Sequence, residues 1–142
     1  MKLLKLFSLT TSLLLLSHVA FAVQPAPKEC PRLSKIKQAG FSHAFPSEGY
    51  YFIYQIDDFD TPQTWTFGMT LQAESSAEAK LLATNILNNL NTSPTPSQVI
   101  PGFWLCTYME EDDKGIGATA MTIADDDGSY VGPLQVMQLM KK

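Results

Sequence analysis

Histidine and cysteine are scarce in this chain, with two of each in 142 residues. His18 falls in an N-terminal leader, so His43 is the one histidine left to the domain. A Ser-His or Cys-His hydrolase needs a nucleophile, a base and an orienting partner, and neither a second base nor a Gly-x-Ser-x-Gly occurs. Zinc normally takes about three or four histidine and cysteine ligands, more than this chain can gather. Cys30 and Cys106 form neither a CxxC nor a CxxCH, which removes dithiol redox chemistry and covalent haem attachment. Basic residues are also few, 10 against 14 acidic ones, which disfavours a nucleic-acid surface. Apolar runs fall short of the ~20 residues that span a bilayer.

Residues 1–22 read as an export signal. Lys2 and Lys5 form a basic end, Leu13 to Leu16 lie in an apolar run, and Ala20-Phe21-Ala22 has the small-x-small pattern at which signal peptidases cut. The mature chain is expected to start at Val23, with a Pro-containing flexible arm over 23–29 and a single domain over 30–142. The alternative is an uncleaved leader that serves as an anchor. Loss of the two leader lysines takes the formal charge from −4 to about −6. In an oxidising compartment the two cysteines make one bridge, Cys30 to Cys106, or stay as two free thiols.

Pro31, Leu33, Ile36 and Gly40 predict a short helix over 31–39. Residues 41–45 read as a brief strand or an extended loop before Pro46, Ser47 and Gly49 turn the chain. Tyr50-Tyr51-Phe52-Ile53-Tyr54-Gln55-Ile56 is rich in aromatic and β-branched side chains and predicts a strand. After the polar turn 57–62, Trp65, Phe67, Met69 and Leu71 alternate with Thr64, Thr66, Gly68 and Thr70, the pattern of a hairpin with one aromatic and one threonine-rich face. Ser75 with Glu78 forms a capping box, and Ala79, Leu82, Ala83, Ile86 and Leu90 carry a helical stripe to Asn91. Prolines 94, 96 and 101 make 91–102 a connection. Strands are expected over 103–109 and 116–124, with acidic turns at 110–115 and 125–128, and 133–140 reads as a final strand or a short helix. The fold class is α+β: a mainly antiparallel sheet of two hairpins packed with one long helix and a short N-terminal helix.

Glu48, Asp57, Asp58 and Asp60 could pair for acid-base work, but polar turns explain them more simply. The acidic turns lack the ligand spacing of an EF-hand. Arg32, Lys35 and Lys37 form a small basic island that could meet an anion or simply be a solvated helix face. The methionines Met69, Met109, Met121, Met137 and Met140 read as core fillers, those near the tail as an adaptable surface. His43 stands among Phe41, Phe45, Tyr50 and Tyr51. Imidazole and phenolate both ligate haem iron, and flat apolar rings suit a porphyrin. The plain alternative is a surface histidine beside an aromatic core strand.

Cys30, Gly49-Tyr50-Tyr51-Phe52-Ile53-Tyr54-Gln55-Ile56-Asp57-Asp58 and Trp104-Leu105-Cys106-Thr107-Tyr108, taken with the export signal, resemble the secreted hemin-binding proteins of Legionella-type bacteria. That resemblance implies a non-enzymatic protein, secreted to the extracellular space through the periplasm, that captures haem for iron acquisition. It assigns no ligand position. From residue chemistry, His43 is the candidate iron ligand, with Tyr50 and Tyr51 as cofactor-binding neighbours. The rival expectation is an exported interaction module, an inhibitor or a host- or cell-surface binder, that uses a sheet face or the Met-rich tail. Neither expectation involves nucleic acid, or membrane insertion after cleavage.

Overall fold

The computed structural model describes residues 24–112 and 116–123. The leader, the acidic turn at 125–128 and the segment 133–140 lie outside the described residues. Two helices and six strands follow in the order α1 (Leu33–Ala39), β1 (His43–Ser47), β2 (Tyr50–Asp57), β3 (Trp65–Gln72), α2 (Ser76–Asn89), β4 (Ser97–Ile100), β5 (Phe103–Met109) and β6 (Ala118–Ile123). All strands join one antiparallel sheet in the order β1-β2-β3-β6-β5-β4. The α+β class is as expected, but each expected hairpin is one part of a three-stranded meander. The described residues thus form two successive αβββ units whose third strands, β3 and β6, pair antiparallel at the centre, a topological two-fold.

Local chemistry explains most element boundaries. Gly40, with φ 66, closes α1 and donates its N–H to Ile36 O. Ser75 Oγ accepts the Glu78 N–H at 3.2 Å, and the Glu78 carboxylate accepts the N–H of Glu74, one residue beyond the cap. This variant of the capping box satisfies two donors at the start of α2. Glu48 and Gly49, with φ 51 and 86, make the two-residue turn between β1 and β2, where positive φ at both central positions matches strand twist. Pro101-Gly102, with φ 75 at the glycine, fits a type II turn between β4 and β5. Turns of that hand splay a hairpin, and the β4–β5 register shifts between Gln98 and Ile100.

Two expectations are corrected. The connection 91–102 contains β4, because Ser97–Ile100 pairs with β5 as the outermost strand although it lacks a hydrophobic alternation of its own. Pro46 lies inside β1 opposite Tyr51, which the sheet tolerates because β1 is the other edge among the described residues and Pro46 need not donate on its outward side.

Both helices belong to the core on one face of the sheet, where Ile36, Ala79, Ala83 and Leu87 meet Ile53, Phe67, Met69, Leu71, Cys106, Tyr108, Ala118 and Ala120. Leu82, expected on the buried stripe, is exposed; the buried stripe runs Ala79, Ala83 and Leu87, each about one turn on from the last. The Cys30–Cys106 bridge, with Cα atoms 5.8 Å apart, ties the segment before α1 to β5. The Tyr108 hydroxyl donates to Pro31 O beside it. Burial pushes the Tyr108 phenol well above its usual range, so it stays a neutral donor. Residues 24–29 have no regular structure and are held through Gln24 and Pro25: Gln24 Nε2 donates to Ile123 O at 3.0 Å, Gln24 Oε1 accepts from Thr64 N, and Gln63 Nε2 donates to Pro25 O at 2.9 Å. The basic island is largely spent on structure. Lys35 pairs with Asp60 at 2.5 Å, and Lys37 Nζ donates to Asn88 O and Leu90 O at the end of α2.

Candidate functional site

Among the described residues the opposite face of the sheet carries no helix. Registers place His43 and Phe45 of β1 beside Tyr54 and Phe52 of β2, these beside Gly68 and Thr70 of β3, and Gly68 beside Thr119 of β6. Farther along, Met121 of β6 lies opposite Leu105, and Ile123 opposite Phe103. The face therefore has an aromatic end on β1–β2, a small and hydroxylic middle at Thr66, Gly68, Thr70, Thr107 and Thr119, and an aliphatic end on β5–β6.

His43 occupies the aromatic end. Its imidazole stacks on Tyr54 with centroids 4.7 Å apart and planes 11° apart, and Tyr54 stacks in turn near Phe52 at 5.1 Å. This geometry follows from strand pairing, since His43 is directly opposite Tyr54 and Phe45 opposite Phe52. His43 and Phe45 are exposed, and among the described residues none hydrogen-bonds the imidazole nitrogens, which leaves their lone pair and proton available. Phe52 lies down over Gly68: a Cβ built there would come within 2.9 Å of both Phe52 ring atoms and Ile53 O. Gly68 thus makes the dip that lets the aromatic row lie flat.

The three residues singled out from the sequence do not converge. Tyr50 shares the face with His43 but lies at the other end of the β1–β2 pair, opposite Ser47, about 13 Å along the strands. Tyr51 alternates to the helix-bearing face and packs against the core there. Tyr54, whose parity in β2 puts it on the face of His43, is the neighbour that chain proximity alone missed. Counting in twos from the β1–β2 turn finds it.

Among the described residues no cluster of three histidine, cysteine or acidic side chains could hold a bare metal ion. The turn carboxylates are committed locally: Asp57 Oδ1 accepts from Asp58 N at 2.7 Å, and Asp58 Oδ1 from Asp60 N at 2.8 Å. Phe59 and Asp60 have positive φ, 48 and 61, in that turn. Among the described residues no helix is long and apolar enough to cross a membrane. That fact and the closed disulfide are compatible with export.

Residues 29–139 match the family model described as Domain of unknown function (DUF4949), and the chain belongs to that family. No curated protein and no solved structure matches the chain.

Proposed function

We propose that this DUF4949 protein is an exported haem-binding protein that seats the porphyrin at the β1–β2 end of the helix-free face and offers His43 to the iron. The observation that carries the reading is the exposed His43 imidazole, with no hydrogen bond to its nitrogens among the described residues, at the head of the row Tyr54, Phe52 and Phe45. A porphyrin brings its own equatorial nitrogens, so one axial side chain suffices, which suits a domain with a single histidine. The row supplies flat apolar and aromatic surface for the macrocycle, and Tyr54 supports the imidazole plane. Bound haem would supply the iron to be acquired, and no reaction is assigned to the protein. Tyr50 and Tyr51 drop out as cofactor-binding neighbours of His43 in this reading, because one is distant from it and the other faces the helices.

Hemin titration tests it. The wild type should develop a shifted Soret band, His43→Ala should lose or weaken it, and Tyr54→Ala should weaken binding while keeping iron ligation. An unchanged wild-type spectrum refutes haem; equal spectra in wild type and His43→Ala refute the ligand.

A second reading, an exported interaction module, draws on β4, an edge of the sheet among the described residues, where Val99 is 56 % and Ile100 50 % exposed. An unpaired strand edge with exposed apolar side chains is a template for β-addition by a partner. Val99→Lys would abolish such capture and leave hemin binding untouched.

A further inference from the structure

His43 can serve one side of a porphyrin only. Its strand, β1, is an edge of the sheet among the described residues, and His43, Phe45 and Pro46 are exposed. A macrocycle is wider than one strand spacing, about 4.8 Å, so a ring whose iron sits on His43 rests on β2 with one half and overhangs β1 with the other. The ligand trans to His43 has to come from the far side of that ring, which a single sheet does not reach. Among the described residues the methionines do not supply it: Met69 and Met109 pack in the core under the helices, and Met121 is 3 % exposed. Tyr54 stands on the same side as the imidazole it stacks on.

What completes such a site needs an iron ligand, an apolar surface for the ring and no charge that repels this one. A second copy of the chain has all three. Residues 41–47 and 50–56, which build the β1–β2 end, contain no Asp, Glu, Lys or Arg, although the chain carries 14 acidic and 10 basic residues. Lys80 Nζ reaches Ser42 O at 2.8 Å from α2, on the other side of the sheet. Phe45 and Ile56, 41 % and 42 % exposed, flank the His43–Tyr54 pair on the helix-free face. A contact about a two-fold axis sets one patch against itself, and an uncharged apolar patch is complementary to its own copy. Pro46 has no N–H to give, which blunts β1 as a template for strand pairing, so two copies meet through their faces rather than by extending the sheet.

We propose that two copies of the chain share one haem, each facing it with its β1–β2 end and giving its His43 to one side of the iron. The inference rests on the haem reading and adds its partner: the binding unit is the pair, and a lone chain covers one face of the porphyrin. Two imidazoles leave the iron no open axial position, which suits carriage of haem rather than chemistry on it.

Hemin titration into the full mature chain, followed by absorbance and by sedimentation, tests it. A low-spin spectrum should complete at one hemin per two chains, on a species of twice the monomer mass. Further hemin should convert it to a high-spin spectrum on monomers as the ratio reaches one per chain. Ile56→Glu brings a carboxylate from each copy to the contact, at a position outside the residues assigned to the iron and the aromatic row. This variant should still bind hemin but end at one per chain, monomeric and high-spin, whereas His43→Ala should never form the low-spin species. A wild-type titration that ends at one hemin per chain on monomers, with no paired species on the way, overturns the sharing and leaves the haem reading standing. If its spectrum is low-spin, the second ligand comes from the same chain. An Ile56→Glu protein that pairs on hemin like the wild type also overturns the proposal, because the contact then lies elsewhere. No spectral change in the wild type refutes the haem reading itself, and the sharing with it.

Discussion

Gly68→Ala tests the geometry of the aromatic row without touching any residue that would contact a ligand. The added Cβ would come within 2.9 Å of Ile53 O and within 2.9 Å of the Phe52 Cε2 and Cζ atoms. The carbonyl cannot retreat, because Gly68 is paired with Tyr54 in the middle of the β2–β3 ladder. The ring must therefore swing, and it is buried and stacked against Tyr54. Overpacking of this kind costs about 2 kcal/mol. For a domain of this size that lowers Tm by roughly 10 °C. Phe52→Leu shortens the obstructing side chain at a cost of its own, so the double variant Gly68→Ala/Phe52→Leu should be less destabilised than the sum of the singles, by about 1 kcal/mol. Denaturant or thermal unfolding of the four proteins, followed by circular dichroism, measures the cycle. A Gly68→Ala protein as stable as the wild type, or strictly additive singles, would refute the claim that Phe52 rests in the glycine dip.

Two further predictions concern the latch on β5. Cys30→Ser/Cys106→Ser opens a loop of sequence separation 76, worth about 4–5 kcal/mol in the chain-entropy model, so Tm should fall by roughly 15–20 °C; a change within a few degrees would show that the bridge adds little to the sheet. Tyr108 ionises less readily folded than unfolded, so below its unfolded pKa of about 10 its contribution is fully present, and above that pH stability should fall by about 1.4 kcal/mol per pH unit. Tyr108→Phe removes that alkaline slope and costs about 1–3 kcal/mol at neutral pH, because Pro31 O loses its donor. An unchanged slope in the variant would place the alkaline sensitivity elsewhere.

The main elements were legible wherever one residue pattern sufficed. β2 and β3 carry their own signal in aromatic density and strict alternation, and α2 in its Ser75–Glu78 start. β4 was hidden because Ser97–Ile100 has no alternation and is a strand only through its partner β5. β1 was blurred by Pro46, whose meaning depends on knowing that the strand is an edge. The pairing of His43 with Tyr54 depends on register, fixed by the two-residue turn at Glu48-Gly49, and closeness in the chain pointed to Tyr50 and Tyr51 instead.

The two αβββ units explain why the aromatic site stands on one half only. The Glu48-Gly49 and Pro101-Gly102 turns occupy equivalent places, and each is followed by an aromatic residue on the helix-free face, Tyr50 and Phe103. Two steps along the equivalent strands, Phe52 corresponds to Leu105, and two further, Tyr54 to Thr107. Only in the first unit does the neighbouring edge strand present a histidine across from that last position. The bulged β4, splayed by its type II turn, is four residues long, a residue shorter than β1. The topology is shared, but the first unit builds a flat aromatic row with an imidazole at its head and the second an aliphatic floor. Under the haem reading the planar, π-rich ligand is therefore expected at β1–β2, and the β5–β6 end suits aliphatic groups instead.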